Sequence, residues 1–436
     1  MVLHPILRLI YLLLRLLSAA AVSVFYRRRT VLGREHLRFE GPAIVISNHP
    51  STLMEPLNVG IHVRQEMFFL ANYSLFKHPL SSWILTRLFC IPVKRREDVA
   101  EGEARDNDAA FEQSFRHLEK NGVLYIAAEG VSWMHRWVRE FKTGTARIAF
   151  GAEARNGWGL GVKIIPVGLS YSAPNLFRSE VVVQYGEPVL ASDWAAAWQQ
   201  NADQAVNDLT EHLQRRVTAL TIHARDEEGE RSLGMWEEIA RNEQPLPPEA
   251  AFRRSQIFTQ KYLDDAPLRT STDVYFHDLH SAGITDAGLA QQTSVRISRW
   301  QAAAEAGFLL LGLPVLGLGW AAWFLPCWLP WLLARRLGLY IGYDSNVKVL
   351  AGFFTVPLGL WAATALLRWA GFCQSWPPSL VWLALVAAGF FAEQYLDVWQ
   401  RVWERWQAGR IARQFPGLMD TLVQQRAAIV ARLLRG

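Results

Sequence analysis

Residues 43–56 read AIVISNHPSTLMEP, and this stretch decides how the N-terminal half of the chain folds. Its first five residues, Ala43 to Ser47, are apolar and rich in β-branched side chains, which predicts a short buried strand. The Asn48-His49-Pro50 turn follows at once and ends the strand. We therefore expect His49 at the carboxyl end of a strand, where open α/β sheets usually place their chemistry.

A carboxylate, Glu55, follows His49 by six positions. Residues at this spacing do not share one face of a helix, so the two side chains meet only if the segment begins with a non-helical turn. In that arrangement the carboxylate accepts Nδ1–H of the imidazole, and Nε2 is left to remove a proton from a bound hydroxyl. A histidine near an acid is also typical of a structural contact, and both interpretations are open at this point.

The composition favours a membrane protein. The chain has 436 residues, enough for two or three domains, and 51% of them are hydrophobic, including 19 Trp. The net charge is +5 and arginines cluster beside apolar stretches, which suits an anionic lipid surface better than nucleic acid. The cysteines Cys90, Cys327 and Cys373 are far apart, so we expect no disulfide, no metal cluster and a cytoplasm-facing protein.

Residues 1–30 are predicted to form a membrane-associated helix. The segment 5–26 is rich in Leu, Ala and Val, but Arg8 and Arg15 lie seven residues apart on one helical face. This placement favours a helix that lies in the membrane interface. A cleaved secretory signal is the alternative, but the internal arginines and the run Arg27-Arg28-Arg29 argue against it. If the helix is retained, the basic run keeps the following domain on the cytoplasmic side.

Residues 302–398 are predicted to form a second membrane region. It contains three apolar stretches, at about 306–333, 349–369 and 380–391. Pro326 and Pro330 interrupt the first stretch. The positive-inside tendency then favours a first stretch that enters and returns by the same membrane face, followed by a hairpin of the other two. Three full spans are the alternative.

Residues 31–225 alternate short apolar runs with amphipathic stretches, the pattern of an α/β domain in which helices flank a β-sheet. The predicted strands are 44–47, 67–71, 89–93, 123–128, 163–170 and 181–184. The predicted helices are 106–120, 143–155 and 203–224. Two segments complete the chain: a polar helical linker at 226–301 and a basic C-terminal helix at 399–436.

Four segments of the α/β domain each follow or end a predicted strand. They are the His49 turn and residues 91–96, 128–144 and 164–168. Because strand ends of this kind meet at one edge of a sheet, we expect these segments to form a single site. The second and third segments also supply cations suited to a phosphorylated ligand: Arg95, Arg96, Arg139 and Lys142.

In order, spacing and content these segments resemble the glycerolipid acyltransferases, which acylate glycerol-3-phosphate and 1-acylglycerol-3-phosphate. The resemblance covers residues 29–189 and places Ala127–Gly130 where the family has Phe-Pro-Glu-Gly. It implies an acyltransferase domain with a central mixed β-sheet, and it makes His49 and Glu55 the catalytic pair. The substrate-binding residues that it implies are Asn48, Arg95, Arg96, Glu129, Gly130, Arg139 and Lys142.

The chain departs from the family pattern at the acid and after the third segment. Glu55 stands one residue later than the commonest pattern has its acid, and aspartate is usual there. The longer spacing resembles the fungal-type glycerol-3-phosphate and dihydroxyacetone-phosphate acyltransferases, as does Phe141–Gly144. The extra methylene of glutamate puts the alignment of the pair in question. Val131-Ser132 replaces a usual Thr-Arg pair, which removes one expected phosphate contact.

The resemblance implies a membrane-bound O-acyltransferase of phospholipid biosynthesis. The enzyme would transfer a fatty acyl group from acyl-CoA or acyl-carrier protein to glycerol-3-phosphate or lysophosphatidic acid, with no cofactor besides the thioester and no metal. We expect it in the inner membrane, with the catalytic domain facing the cytoplasm. Two alternatives stay open: another lysolipid or an amino-lipid as the acceptor, and a non-catalytic lipid-binding membrane protein on the same fold.

Overall fold

The computed structural model describes residues 5–87, 89–95, 107–294, 298–338 and 341–434. The described residues fall into two compact units. The first is bounded by Met1–Arg225 and Tyr340–Asn346, and the second by Asp226–Leu339 and Val347–Gly436. Strands occur in the first unit, whereas the described part of the second is helical.

An eight-stranded mixed β-sheet forms the centre of the first unit, which confirms the predicted fold class. The strands are β1 (Arg28–Leu32), β2 (Ala43–Ser47), β3 (Met67–Asn72), β4 (Cys90–Val93), β5 (Val123–Ala127), β6 (Lys163–Tyr171), β7 (Glu180–Tyr185) and β8 (Val189–Leu190). Seven follow the order β1-β7-β6-β2-β5-β3-β4, and β8 pairs with β6. The pairs of β6 with β7 and β8 are antiparallel, and the other pairs are parallel.

Strand β2 lies inside the sheet and positions the site. All five of its residues are buried, as the AIVIS pattern predicts. Ser47, its last residue, lies opposite Ala127 of β5 and Val167 of β6, both in parallel strands. The segments that follow β2 and β5 therefore leave the sheet at the same edge and at the same level.

Among the described residues, seven α-helices accompany the sheet. They are α1 (Pro5–Phe25), α2 (Met54–Gly60), α3 (Pro79–Arg87), α4 (Asp108–Glu119), α5 (Gly144–Arg155), α6 (Ala195–Gln200) and α7 (Ala202–Ala219). The predicted helix at 203–224 ends early because the backbone beyond Ala219 bonds elsewhere. Ile222 N–H donates to the Ser170 hydroxyl, and Ala224 N–H donates to the Arg136 carbonyl.

The basic run after α1 belongs to the sheet. The sequence predicted a domain start at residue 31, yet Arg28 and Arg29 are the first residues of β1. Arg28 lies opposite Glu180 of β7, and the two side chains form an ion pair of 3.6 Å. Apolar periodicity did not predict this arginine-rich strand, because β1 is an edge strand of the sheet and can keep charged side chains in solvent.

The polar segment 226–301 forms part of a packed helical bundle in the second unit. Its helices are α8 (Glu227–Glu243), α9 (Pro248–Asp264), α10 (Ala266–Ala282) and α11 (Asp286–Ser294), and α15 (Pro416–Leu434) packs with α8 and α10. Arg426 of α15 donates to the buried carboxylate of Asp286 at 2.8 Å and to Glu243 at 2.6 Å. The segment expected to be a linker thus has its own core and polar network.

The described part of the second unit also contains long apolar helices, namely α12 (Arg299–Leu337), α14 (Pro378–Gln414) and, from Val347 onward, α13 (Asp344–Trp369). Each is long and apolar enough to cross a membrane, as is α1. Helix α12 is continuous through Pro326 and Pro330, where the sequence predicted an interruption, while the predicted re-entrant course in the membrane stays a prediction. Pro330 has no N–H for the Pro326 carbonyl, and the Thr355 hydroxyl of α13 donates to that carbonyl at 3.1 Å.

One face of helix α1 packs against the rest of the first unit. Its polar contacts join Arg8 to Glu66 (3.1 Å), Arg15 to the Ile61 carbonyl (2.9 Å), and the Tyr11 hydroxyl to Met67 N–H (3.1 Å). The opposite face is apolar, with 54–67% exposure of Ile6, Leu9, Leu13 and Leu16. A helix with protein on one face and apolar side chains on the other suits a position in the plane of the membrane interface.

We predict that Leu9 and Leu16 lie at equal depth in a bilayer. Each is replaced by cysteine in the full chain lacking Cys90, Cys327 and Cys373, labelled with an environment-sensitive dye, and probed with depth-dependent quenchers in liposomes. An in-plane helix gives the same depth at both sites, whereas a spanning helix separates them by about 10 Å because each residue rises about 1.5 Å.

The matched control is Leu350→Cys and Leu358→Cys on α13, both more than half exposed. This pair should report two different depths if α13 crosses the bilayer. Different depths for Leu9 and Leu16 would contradict the interfacial position of α1.

Candidate active site

The structure brings His49 and Glu55 into contact at the end of β2. His49 Nδ1–H donates to Glu55 Oε2 at 3.1 Å, and the other carboxylate oxygen, Oε1, accepts the N–H of Ser51. Helix α2 starts only at Met54, so the residues between form the non-helical turn that the spacing requires. The extra methylene of glutamate therefore does not prevent contact with the imidazole.

Burial distinguishes the two members of the pair. The Glu55 side chain is 0% exposed and that of His49 is 10% exposed, so the acid is fully buried while the imidazole keeps a small solvent-accessible area. Burial raises the pKa of Glu55, and the charge and hydrogen bond of His49 together with Ser51 N–H oppose that rise. The ionised carboxylate consequently depends on the donors that the turn supplies.

Glu129 is a second buried carboxylate at the same sheet edge. It follows β5, and its Oε1 accepts the backbone N–H of His49 at 2.9 Å. Burial raises the pKa of Glu129 to about 7, although hydrogen bonds from the backbone of His49 and Arg139 act in the opposite direction. Glu129 thus holds the histidine backbone, while its predicted role in substrate binding stays a prediction.

Gly130 turns the chain away from β5. Its φ of 73° is left-handed, a conformation that glycine adopts without a steric penalty. Its N–H donates to the Ala127 carbonyl at 3.1 Å, so this amide is engaged within the turn. A Cβ at this position would lie 3.3 Å from Cγ of Lys142. The close approach of the Lys142 side chain therefore also favours glycine here.

Asn48 ties the end of β2 to β6. Its Nδ2 donates to the Leu169 carbonyl at 2.9 Å, and its Oδ1 accepts Leu169 N–H at 2.8 Å. The residue is buried. Its amide thus extends the pairing of the two strands beyond Ser47 and holds the start of the His49 turn.

The loop 131–142 packs on the His49 turn without regular secondary structure. Trp133 N–H donates to the His49 carbonyl at 2.8 Å, and the Ser132 hydroxyl accepts Thr52 N–H at 3.2 Å. Ser132 is one of the two residues that replace the family's Thr-Arg pair. The expected loss of a phosphate contact stays a prediction, and the structure shows that the serine holds the turn.

The predicted cations differ in placement. Arg95 lies two residues beyond β4 and is partly buried, whereas Arg139 and Lys142 are exposed on the loop after β5. The Arg139 guanidinium lies 5.0 Å from the ring centre of Trp133. The backbone N–H of Lys142 donates to the Ala128 carbonyl at 2.8 Å. Arg96 lies outside the described residues.

A segment distant in sequence completes the surroundings of the turn. The Ser345 hydroxyl lies 2.9 Å from that of Ser51, and the Thr52 hydroxyl donates to the Gly342 carbonyl at 3.1 Å. Asn346 Nδ2 in turn donates to the same Thr52 oxygen. Sequence reasoning missed these residues because they lie nearly three hundred positions away and carry no periodic or motif signal.

Comparison with known proteins finds similarity to acyltransferases. Residues 28–170 match the family model described as Acyltransferase. In Saccharomyces cerevisiae, glycerol-3-phosphate O-acyltransferase 2 is 27% identical over 45% of this chain, and glycerol-3-phosphate O-acyltransferase 1 is 29% identical over 28% of it. The matches span 27% and 16% of those relatives' own lengths.

Among solved structures, the 1-acyl-sn-glycerophosphate acyltransferase PlsC of Thermotoga maritima aligns with a TM-score of 0.34 and 18% identity. That alignment covers 48% of this chain and 82% of the other.

The raised pKa of Glu129 predicts a pH-dependent stability difference. Its pKa is about 7 in the folded chain against an ordinary 4.5, so the group's contribution is fully present at low pH and is lost as pH rises to about 7. Glu129→Gln keeps the shape and the acceptor oxygen but cannot ionise. The melting temperature of the variant relative to the original chain should therefore increase between about pH 5 and about pH 8.

Differential scanning fluorimetry of both proteins in detergent measures this difference. Glu140→Gln, an exposed neighbour on the same loop, is the control and should show no such trend. A melting-temperature difference for Glu129→Gln that is the same at both pH values would contradict the prediction.

Proposed function

We propose that this chain, whose residues 28–170 form an acyltransferase domain, is a membrane-bound O-acyltransferase of phospholipid synthesis. It transfers a fatty acyl group from an acyl thioester to the hydroxyl of a glycerol-phosphate acceptor, either glycerol-3-phosphate or lysophosphatidic acid. The observation that carries the proposal is the contact of His49 Nδ1 with the buried Glu55 carboxylate at a strand end of that domain. The names of the two yeast relatives support the acceptor class.

In the proposed reaction His49 acts as a general base. Its Nε2 takes the proton of the acceptor hydroxyl, whose oxygen attacks the thioester carbonyl. The new C–O bond forms, the C–S bond breaks, and the leaving thiolate takes the proton from the imidazolium. Glu55 holds Nδ1–H throughout and stabilises the imidazolium. General-base action of this kind typically contributes about 10²–10⁴-fold to the rate.

Cations at the same sheet edge support a phosphorylated acceptor. Arg95 follows β4 at the end where β2 and β5 also finish, since β4, β3 and β5 are joined by parallel pairing. Arg139 and Lys142 extend from the loop that packs on the His49 turn. Guanidinium and ammonium groups bind phosphate oxygens through charge-assisted hydrogen bonds.

The apolar helices support a membrane location. We place the hairpin of α13 and α14 across the inner membrane and α1 in its interface, with the acyltransferase domain on the cytoplasmic side. This side carries the expected donors, acyl-CoA or acyl-carrier protein. An acceptor such as lysophosphatidic acid would then reach the site from the lipid surface on which α1 lies.

We predict that the full chain in liposomes releases free thiol from an acyl-CoA when glycerol-3-phosphate or lysophosphatidic acid is supplied, and that His49→Ala abolishes the release. The loss follows because the hydroxyl is left without a base. A thiol-reactive dye follows the reaction, and the acylated lipid is identified by mass spectrometry.

His277→Ala, which removes an exposed histidine of α10, is the control and should retain activity. Full activity of His49→Ala would rule out the mechanism. Lipid binding without turnover of any acceptor would instead favour a non-catalytic protein.

The role of Arg95 is tested with acceptors that differ in their phosphate. Arg95→Ala should raise KM for lysophosphatidic acid by roughly 10–100-fold, because a charge-assisted contact contributes about 1.5–3 kcal/mol. The KM for monoacylglycerol, which lacks the phosphate, should be unchanged. Arg215→Ala on α7, an exposed arginine, is the control.

Equal effects of Arg95→Ala on the KM values of both acceptors would show that Arg95 does not bind the phosphate. Preference of the original chain for an acceptor without phosphate would point to another lipid substrate.

A further inference from the structure

Thr52 has an unusual backbone conformation at the centre of the His49 turn. Its φ is 36°, in the left-handed region, which β-branched residues rarely adopt. Such a conformation persists only where surrounding contacts enforce it, and it is frequent at functional sites. The contacts around Thr52 therefore show what its conformation serves.

Three groups from two distant segments hold Thr52. Its N–H donates to the Ser132 hydroxyl at 3.2 Å, and its own hydroxyl donates to the Gly342 carbonyl at 3.1 Å. Asn346 Nδ2 donates to that same hydroxyl oxygen. Backbone and side chain of Thr52 are thus both fixed, the first by the loop after β5 and the second by residues 342–346.

Ser51 connects this arrangement to the acid. Its hydroxyl is hydrogen-bonded to that of Ser345 at 2.9 Å, and both serines are buried. Its N–H donates to Glu55 Oε1, while the other oxygen of Glu55 accepts from His49 Nδ1. A displacement of Ser51 therefore moves the carboxylate that orients the imidazole.

We propose that Thr52, together with Gly342, Ser345 and Asn346, forms a positioning clamp that aligns Glu55 with His49, an inference that rests on the proposed function. The clamp explains how an acid with one additional residue in its spacing meets the histidine. The left-handed residue reverses the chain direction locally, so the added residue does not carry Glu55 past the imidazole. Gly342 lies between α12 and α13, and Ser345 and Asn346 lie in the first turn of α13, so the start of an apolar helix supplies part of the site.

The clamp residues do not touch the reacting atoms, so their removal should lower kcat and leave KM nearly unchanged. Thr52→Val keeps the branched shape but removes the hydroxyl, and it should lower kcat roughly 10–100-fold, as expected for a misplaced catalytic group. Thr52→Ser keeps the hydroxyl and should restore most of the rate. Ser345→Ala should lower kcat in the same direction and provides a second test if Thr52→Val folds poorly.

Ser114→Ala is the matched control, since Ser114 is a buried serine of α4 whose hydroxyl donates only to its own helix, at Ala110. All variants are made in the full chain in liposomes, with kcat and KM measured by thiol release. Melting temperatures close to that of the Ser114→Ala control identify variants that fold normally.

Combination with Glu55→Gln separates positioning from general stability. If the clamp acts through Glu55, Thr52→Val and Ser345→Ala should lower kcat by less than about twofold in the Glu55→Gln background, because groups acting as a unit are not additive. Unchanged kcat in both single variants, or an undiminished loss in the Glu55→Gln background, would overturn the clamp alone. An original chain that turns over no acceptor would overturn the proposed function and the clamp with it.

Discussion

The buried carboxylate of Glu55 is the constraint on which the rest of the site depends. A fully buried charge is costly unless hydrogen-bond donors surround it, and here the donors are His49 Nδ1–H and Ser51 N–H. Both can reach the carboxylate only if the chain between histidine and acid leaves helical geometry, which it does at Thr52. The unfavourable backbone conformation of Thr52 is thus compensated by the hydrogen bonds that the buried Glu55 carboxylate would otherwise lack.

The same turn is supported from three directions. Asn48 joins it to β6, Glu129 accepts the N–H of His49, and the loop 131–142 bonds it through Ser132 and Trp133. Residues 342–346 add a fourth support from beyond the 28–170 segment that matches the acyltransferase family. The His49 turn therefore lies within the matched segment but is also held by residues that continue directly into α13, an apolar helix of this chain.

Several features followed directly from the pattern of residues. All six predicted strands are present, and the mixed sheet with flanking helices is confirmed. Prediction from the sequence failed where a contact with a distant residue outweighed the local secondary-structure preference. β1 forms from an arginine-rich run because its backbone pairs with β7, and α12 continues through Pro326 and Pro330 because Thr355 satisfies a freed carbonyl. Neither compensating partner is close in sequence.

The sequence by itself determined that a histidine stands at the end of a buried strand, that an acid follows six residues later, and that apolar helices accompany an α/β domain. These are consequences of local periodicity and spacing, which hydrophobic burial and backbone geometry make readable. Only the tertiary structure decided that the two side chains meet, that Ser132 holds the turn, and that Ser345 and Asn346 reach the turn. Those outcomes depend on hydrogen bonds between residues brought together by the whole fold, and no local pattern encodes them.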